Sequence, residues 1–281
     1  MITVAEVRRL AESLEIGPPV VDHDYVLGCF LHYLALQPEV QSGWIFKGGT
    51  ALRKCYFSEY RFSEDLDFTA ITPLRAPMMR HLIDAAKNSM QEALGISVSP
   101  PSAEIEILAD DYGKESFDAK IYYEGPWQYG GTPRSLRIHV NHEEELCFPP
   151  PTLPIIHLYS DKPELPKVSL KVYGLEEICS EKLRAFSGQR KWAIARDVYD
   201  LYMLSQRNID LAAVVQAFPK KCLAKDLDPS RLNLAKVTNK RREYESNWRD
   251  NLEYLVPAST KVLFEEAWRV ALQLLTQAIG Q

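Results

Sequence analysis

The amino-acid sequence predicts an α/β (α+β) protein in which a mixed sheet flanked by helices is followed by a C-terminal helical lobe. Three observations predict it. The short apolar run Trp44-Ile45-Phe46 stops at Gly48-Gly49 and leads into a helix-forming stretch, Thr50 to Tyr56. Between Ala103 and Asn141 the apolar residues alternate with period two, as half-buried strands require. Beyond Val172 the apolar spacing is that of helices to the end of the chain.

The elements follow in order. Val4, Val7, Leu10 and Leu14 recur at helical spacing, and a second helix is predicted from Asp22 to Leu36 with Asp22 as its N-cap. The run at Trp44 is a strand, Gly48-Gly49 a turn, and Thr50 the cap of the next helix. After the polar turn Ser58-Glu59-Tyr60, residues Ser63 to Ala70 alternate as a strand, and Met78 to Leu94 returns to helical period. Ile105 and Ile107, then Phe117, Ala119, Ile121 and Tyr123, then Leu136, Ile138 and Val140 predict three antiparallel strands. Gly125-Pro126 and Gly130-Gly131 bracket the connection between the second and third. Pro149-Pro150-Pro151, Pro154, Pro163 and Pro166 exclude helix and central strand, so 149–166 is predicted as a loop between a domain at 1–148 and a mainly helical lobe at 167–281.

Composition narrows the function. The 281 residues are 46% hydrophobic, enough for a sizeable core. Five cysteines, an odd number without a C-x-x-C pair, indicate neither a disulfide framework nor a zinc cluster. No apolar run approaches the roughly 18 residues of a membrane span, so a soluble, cytoplasmic protein without membrane partners is expected. A net charge of −5 argues against a general nucleic-acid coat, because nonspecific phosphate binding depends on Lys and Arg releasing counterions. No DNA partner is expected, and any nucleic-acid contact must be local.

The chemistry concentrates on two short motifs. On an extended strand, side chains two apart share a face, so Ser63, Asp65 and Asp67 point one way while Leu66 and Phe68 point into the core. Two carboxylates on one rigid strand repel unless a cation lies between them, and oxygen donors favour a hard ion such as Mg²⁺. A solvated strand face carries the same pattern, so the spacing by itself leaves both readings open. Gly48 and Gly49 have no Cβ to block close approach, and their N–H groups with the following helix start form a seat for phosphate. Together the motifs bring metal and phosphate chemistry to one strand-turn-helix-strand unit.

The run Phe46-Lys47-Gly48-Gly49-Thr50-Ala51-Leu52, followed by Arg61-Phe62-Ser63-Glu64-Asp65-Leu66-Asp67-Phe68, resembles the signature of the AbiEii/MenT-type nucleotidyltransferase toxins. These are the toxin halves of type IV-like toxin–antitoxin and abortive-infection systems, within the DNA polymerase β-like superfamily. Glu177 to Ala185 and Arg196 to Tyr202 are similar to the family's second block. The resemblance runs from about Asp22 to about Leu204. It implies a nucleotidyltransferase fold in which Gly48, Gly49 and Thr50 grip the triphosphate of an NTP and Asp65 and Asp67 hold Mg²⁺. Ser63 matches a hydroxyl position that is phosphorylated in some members. Lys182 and Asp197 match active-site positions, and Lys47, Arg61, Arg196 and Asp200 lie within the same motifs. The implied reaction moves an NMP from an NTP to a hydroxyl of RNA, tRNA leading, and the implied partner is a cognate antitoxin.

Read from periodicity, Lys182 falls inside the apolar stripe Leu175, Ile178, Cys179, Leu183 and Phe186, where it either snorkels, pairs with a carboxylate, or reaches a phosphate. Asp197 and Asp200 flank the buried face of their helix, with Arg196 spaced to pair with Asp200. A third carboxylate commonly stands on a neighbouring strand of these enzymes, but Arg137-Ile138-His139-Val140-Asn141 offers His139 and Asn141 instead. Glu104 and Glu106 are a second same-face pair, and Asp197 is the first candidate for the missing role. Lys236, Lys240, Arg241, Arg242 and Arg249, with Tyr244 and Trp248 interleaved, form either an RNA-backbone track or a solvated helix face, and Lys220, Lys221 and Lys225 form a weaker basic group. Transfer to a small molecule or protein, and a non-catalytic nucleotide- or antitoxin-binding module, are the rival functions.

Overall fold

A computed structural model describes residues 1–109, 115–127, 134–142 and 144–280. Gly130-Gly131 lies outside the described residues. The chain forms two compact units, the first comprising Met1–Glu143, Pro150–Val172 and Leu255–Thr260, the second Glu144–Pro149, Tyr173–Tyr254 and Lys261–Gln281.

The first unit is built on a five-stranded sheet in the order β1-β2-β5-β4-β3, with β1 at Trp44–Lys47, β2 at Asp65–Ala70, β3 at Ser97–Ala109, β4 at Glu115–Glu124 and β5 at Arg134–Asn141. β2 and β5 are parallel and the remaining pairs antiparallel, so the sheet is mixed. One face is apolar: Leu66, Phe68, Phe117, Ala119, Ile121, Leu136, Ile138 and Val140 are all buried. They share a core with residues of α1 (Val4–Leu14), α2 (Pro18–Leu34) and α5 (Ala76–Leu94). Of the smaller elements, α3 spans Pro38–Gly43, and β6 (Thr152–Pro154), inside the proline-rich stretch, pairs with β7 (Ser169–Lys171), which follows it. Pro150–Val172 belongs to this first unit, and Val172 bridges Phe46 of β1.

Two local expectations change. Helix α2 starts at Pro18 behind Gly17, because proline supplies a preset φ at the first helical position, and Asp22 lies buried inside the helix. Its carboxylate accepts the Trp127 N–H at 2.8 Å and fills the space beside Gly125 that a Cβ would need. Burial pushes the Asp22 carboxyl up to about 6, only partly offset by the Trp127 N–H and Arg134. The folded state therefore holds the Asp22 proton to higher pH than the unfolded chain does, and stability declines as pH rises from about 4 through about 6. Urea denaturation should show the parent losing about 2 kcal/mol between pH 4.5 and 7.5 relative to Asp22→Asn, which keeps the acceptor oxygen and cannot ionise. Parallel pH profiles would contradict this.

The stretch after the glycine turn is also not a plain helix capped by Thr50. A single α-turn, α4 (Gly48–Ala51), runs directly into a π-helical turn at Leu52–Tyr56, with Lys47 at the N-cap. The wider turn carries Arg53 and Lys54, adjacent in sequence, onto one buried carboxylate: Asp24 of α2 accepts from Arg53 Nε at 2.8 Å and from Lys54 Nζ at 2.7 Å. Tyr159 adds a third donor to Asp24 at 2.7 Å. Burial pushes the Asp24 carboxyl up, but Arg53 and Lys54 outweigh it and hold the group far below its ordinary range. The glycine turn thus rests on an anchored base.

The second unit is helical: α6 (Leu175–Arg184), α7 (Ala195–Ser205), α8 (Leu211–Leu223), α9 (Leu234–Thr238), α10 (Arg241–Asn251) and α11 (Phe264–Ile279). Its core is aromatic, with Phe186, Tyr244 and Trp268 in mutual contact and Trp248 against Phe264. Tyr244 and Trp248 are therefore packing residues, buried by the helical period of α10, and do not interleave with its exposed cations. Lys221 and Lys225 are buried on Glu177, Glu181 and Glu144 as an internal clamp, and the exposed Lys220 pairs with Glu145, so this lysine group is offset by carboxylates and is not a basic patch. Among the described residues no helix is long and apolar enough to cross a membrane.

Candidate active site

The first unit gathers most of the predicted site on the polar face of its sheet. Asp65 and Asp67 open β2, both half-buried, with Leu66 and Phe68 fully buried on the opposite face. Ser63 precedes the strand instead of lying on it, and it is buried. Gly48 has φ +78°, a conformation that only glycine adopts without strain, and a Cβ built there would stand 2.8 Å from Asp67 Oδ2. At Gly49 a Cβ would run into the Arg61 guanidinium. Both glycines are thus required by close approach, one to the carboxylate and one to a buried arginine. The Thr50 hydroxyl donates to the Asp65 carbonyl at 2.5 Å and ties the glycine turn to the start of β2.

Register extends the site across the sheet. Lys47 is opposite Asp67, Asp67 is opposite His139, and His139 is opposite Asp118. Residues directly opposite on neighbouring strands share a face, so these four form one polar row. Lys47 is buried and its Nζ donates to Asn141 Oδ1 at 2.9 Å, which also accepts from Thr69. His139 Nδ1 lies 3.0 Å from Asp118 Oδ1, and that hydrogen bond pushes the imidazole pKa up against a smaller opposing effect of burial. Asp118 escaped the sequence reading. Its only sequence signal is a polar position between Phe117 and Ala119, and the β4–β5 register is needed to place it beside His139. Glu104 and Glu106 are exposed on β3.

The donor set of Asp65 and Asp67 fits a hard divalent cation, because both offer oxygen from one face and the absent Gly48 Cβ leaves the space beside Asp67 open. A second cluster of the same unit does not. Cys29, His157 and Asp161 bring ligand atoms within 4.8 Å of one another, but all are buried and burial pushes the Cys29 thiol up, away from the thiolate that metals bind. Asp161 there accepts from Tyr25 at 2.6 Å and from His157 at 2.9 Å, a network that fastens the proline-rich segment to α2.

In the second unit Lys182 projects from α6 onto α7, where its Nζ meets Asp197 at 2.7 Å and Asp200 at 2.9 Å. Asp197 also takes Arg190 at 2.9 Å. Of the open readings for Lys182, pairing with carboxylates is the one the unit displays. Burial pushes the Asp197 carboxyl up, but Arg190 and Lys182 outweigh it and keep it below its ordinary range. Arg190 was not anticipated, since it lies in a bend between the two helices with no periodic signal. Arg196 stands one residue before Asp197 on α7.

The model of the nucleotidyl transferase AbiEii toxin family, described as a type IV toxin–antitoxin system, matches residues 31–274. Among solved structures, the nucleotidyltransferase toxin MenT4 of Mycobacterium tuberculosis H37Rv is similar over 100% of this chain and 99% of its own, at 22% identity and TM-score 0.58. JHP933 from Helicobacter pylori is similar over 94% of this chain and 91% of its own, at 20% identity and TM-score 0.54. A nucleotidyltransferase structure from H. pylori described as putative covers 94% of each chain at 19% identity and TM-score 0.54. No curated protein sequence matches significantly. The fold agrees with a family match that spans most of the chain: this protein belongs to the AbiEii family of nucleotidyltransferase toxins.

Proposed function

We propose that the protein moves a nucleoside monophosphate from an NTP to a hydroxyl of RNA, the tRNA 3′ end leading, and that this transfer arrests growth until a cognate antitoxin intervenes. The observation that carries the reading is Asp67, two residues from Asp65 on β2, standing against the Gly48 turn where no Cβ intervenes. In this reading Asp65 and Asp67 hold Mg²⁺, which screens the triphosphate charge when bound. Gly48 and Gly49 let the phosphates approach the backbone, and Thr50 keeps the turn on β2. The acceptor oxygen bonds to the α-phosphorus, the bond to the bridging oxygen breaks, pyrophosphate leaves, and the hydroxyl proton passes to solvent or a nearby base. Asp197, held anionic by two cations, is a weak base, so its role in this reading is to orient Lys182, which the family resemblance places among the active-site positions. Ser63 is the hydroxyl at which phosphorylation would place negative charge next to the aspartates and silence the site. An NTP-dependent reaction of this kind belongs in the cytoplasm.

Labelling total RNA and total protein with each of the four α-³²P NTPs tests the acceptor. Label is expected in a tRNA-sized band, from one or a few nucleotides. Label in protein alone would overturn the RNA reading and favour a protein hydroxyl. Because Arg241 is tied to Glu265 and Lys240 to the Arg190 and Lys191 carbonyls, the exposed cations Lys236, Arg242 and Arg249 remain to meet a phosphate backbone. Reversing those three charges should cut RNA labelling about tenfold or more at unchanged NTP affinity, with a shallower salt dependence. Equal labelling would remove the acceptor track.

A further inference from the structure

We propose that His139, held by Asp118, supplies a nitrogen ligand next to Asp65 and Asp67, so that the metal site is a mixed nitrogen–oxygen site favouring Mn²⁺ over Mg²⁺. The inference rests on the metal reading above and concerns the neighbour that β5 places beside Asp67.

The row Lys47, Asp67, His139 and Asp118 fixes the placement. His139 is the direct neighbour of Asp67 on the parallel strand, and adjacent strands run roughly 4.8 Å apart, within the span that one cation bridges between two side chains. Asp118 holds the ring from the other side: its Oδ1 lies 3.0 Å from Nδ1. With Nδ1 donating to a carboxylate, the neutral imidazole presents Nε2 as its lone-pair nitrogen, the arrangement in which carboxylates commonly orient histidine ligands on metals. The ring is half-buried, with 29% of its side chain exposed, so it is packed enough to be oriented and open enough to receive an ion. Burial of the opposite face by Ile138 and Val140 locks His139 onto the site face, because a one-residue slip of β5 would exchange them. Lys47, the remaining member of the row, is directed to Asn141.

The donor types decide the metal. Mg²⁺ prefers oxygen and gives up water reluctantly, whereas imidazole suits first-row transition metals, of which Mn²⁺ also accepts carboxylate, phosphate and water. A site of two carboxylates and one imidazole therefore works with Mg²⁺ at high concentration and binds Mn²⁺ more tightly. Asp118 is a positioning residue: it does not meet the metal but fixes the ring and its tautomer.

The test uses the full chain with Mn²⁺ and inorganic tripolyphosphate, which carries no nitrogen. Free Mn²⁺ is titrated by electron paramagnetic resonance, and pulsed measurement reads hyperfine coupling from nitrogen on the bound ion. The parent should show a histidine ¹⁴N coupling that turns into ¹⁵N coupling on ¹⁵N-histidine labelling. His139→Gln and His139→Asp should lose it, and His139→Gln should bind Mn²⁺ at least about tenfold more weakly. His139→Asp should regain affinity while letting Mg²⁺ compete better. Asp118→Asn should weaken Mn²⁺ about tenfold with a reduced but present coupling, and circular dichroism should show every variant folded. If Mn²⁺ binds, is lost in Asp65→Ala and carries no histidine nitrogen, the inference is overturned while the proposed function stands. If Mn²⁺ does not bind, or Asp65→Ala binds as the parent does, the metal reading of the proposed function fails and this inference fails with it.

Discussion

Replacing Asp67 with alanine is expected to cut nucleotide transfer about 10³-fold and to relieve growth inhibition while leaving the fold intact, the largest functional effect expected of any single change. Asp67 is half-buried at the polar face of β2, and its neighbours Leu66 and Phe68 carry the packing, so the strand keeps its core contacts when the carboxylate goes. If Asp67 holds the metal as proposed, its loss forfeits several kcal/mol of charge stabilisation in the transition state, and about 4 kcal/mol corresponds to a rate loss of about 10³-fold. Single-turnover labelling with the preferred NTP reads the rate, and urea denaturation reads the fold. A variant that stays within tenfold of the parent, or remains toxic on expression, would place the chemistry elsewhere. Asp65→Ala should behave alike. Gly48→Ala should approach the same loss by another route, since its Cβ would press on Asp67 Oδ2 and its φ of +78° would be strained.

The second large effect falls on stability. Lys182→Met removes the cation that bridges Asp197 and Asp200, both buried, at 2.7 and 2.9 Å. Deleting one partner of a buried ion cluster costs about 3–5 kcal/mol, because the carboxylates keep their desolvation penalty and lose the cation they share, although Asp197 retains Arg190. Lys182→Arg keeps the charge and should recover much of that loss. The pairing of stability with transfer rate then separates two roles for the lysine. If Lys182→Arg folds like the parent but transfers NMP at least about tenfold more slowly, the ammonium acts on the substrate as well as on the aspartates. If Lys182→Met is as stable as the parent, the cluster is not the keystone of α6 and α7 that its geometry describes.

Much of the fold was legible because side-chain period reports which face is buried. The alternation at Leu66 and Phe68, at Phe117 to Ile121 and at Leu136 to Val140 marks the strands, and the same residues are buried. Helix starts were less legible: Pro18 won over Asp22 because a preset φ outranked a side-chain cap, and Asp22 then served Trp127 from inside the helix. The π-helical turn at Leu52–Tyr56 has no sequence signature, since it exists to deliver Arg53 and Lys54 to a buried Asp24 far away in the chain. The same limit applies to the lysines. Lys220, Lys221 and Lys225 look like a basic patch when counted along the chain, but three-dimensional packing sets them against four glutamates.

For this protein, the sequence by itself determined the glycine turn, the two aspartates two residues apart, and the family motifs around Lys182 and Asp197, because each is a local pattern whose chemistry depends on spacing along one element. Only the tertiary structure decided which residues complete those patterns. Strand register, set by distant pairings, put Asp118 behind His139 and His139 beside Asp67, and helix packing put Lys182 between two aspartates and Arg190 on one of them. Side chains that meet across strands and helices are neighbours in space and strangers in sequence, and their contacts enter the chain only through the fold.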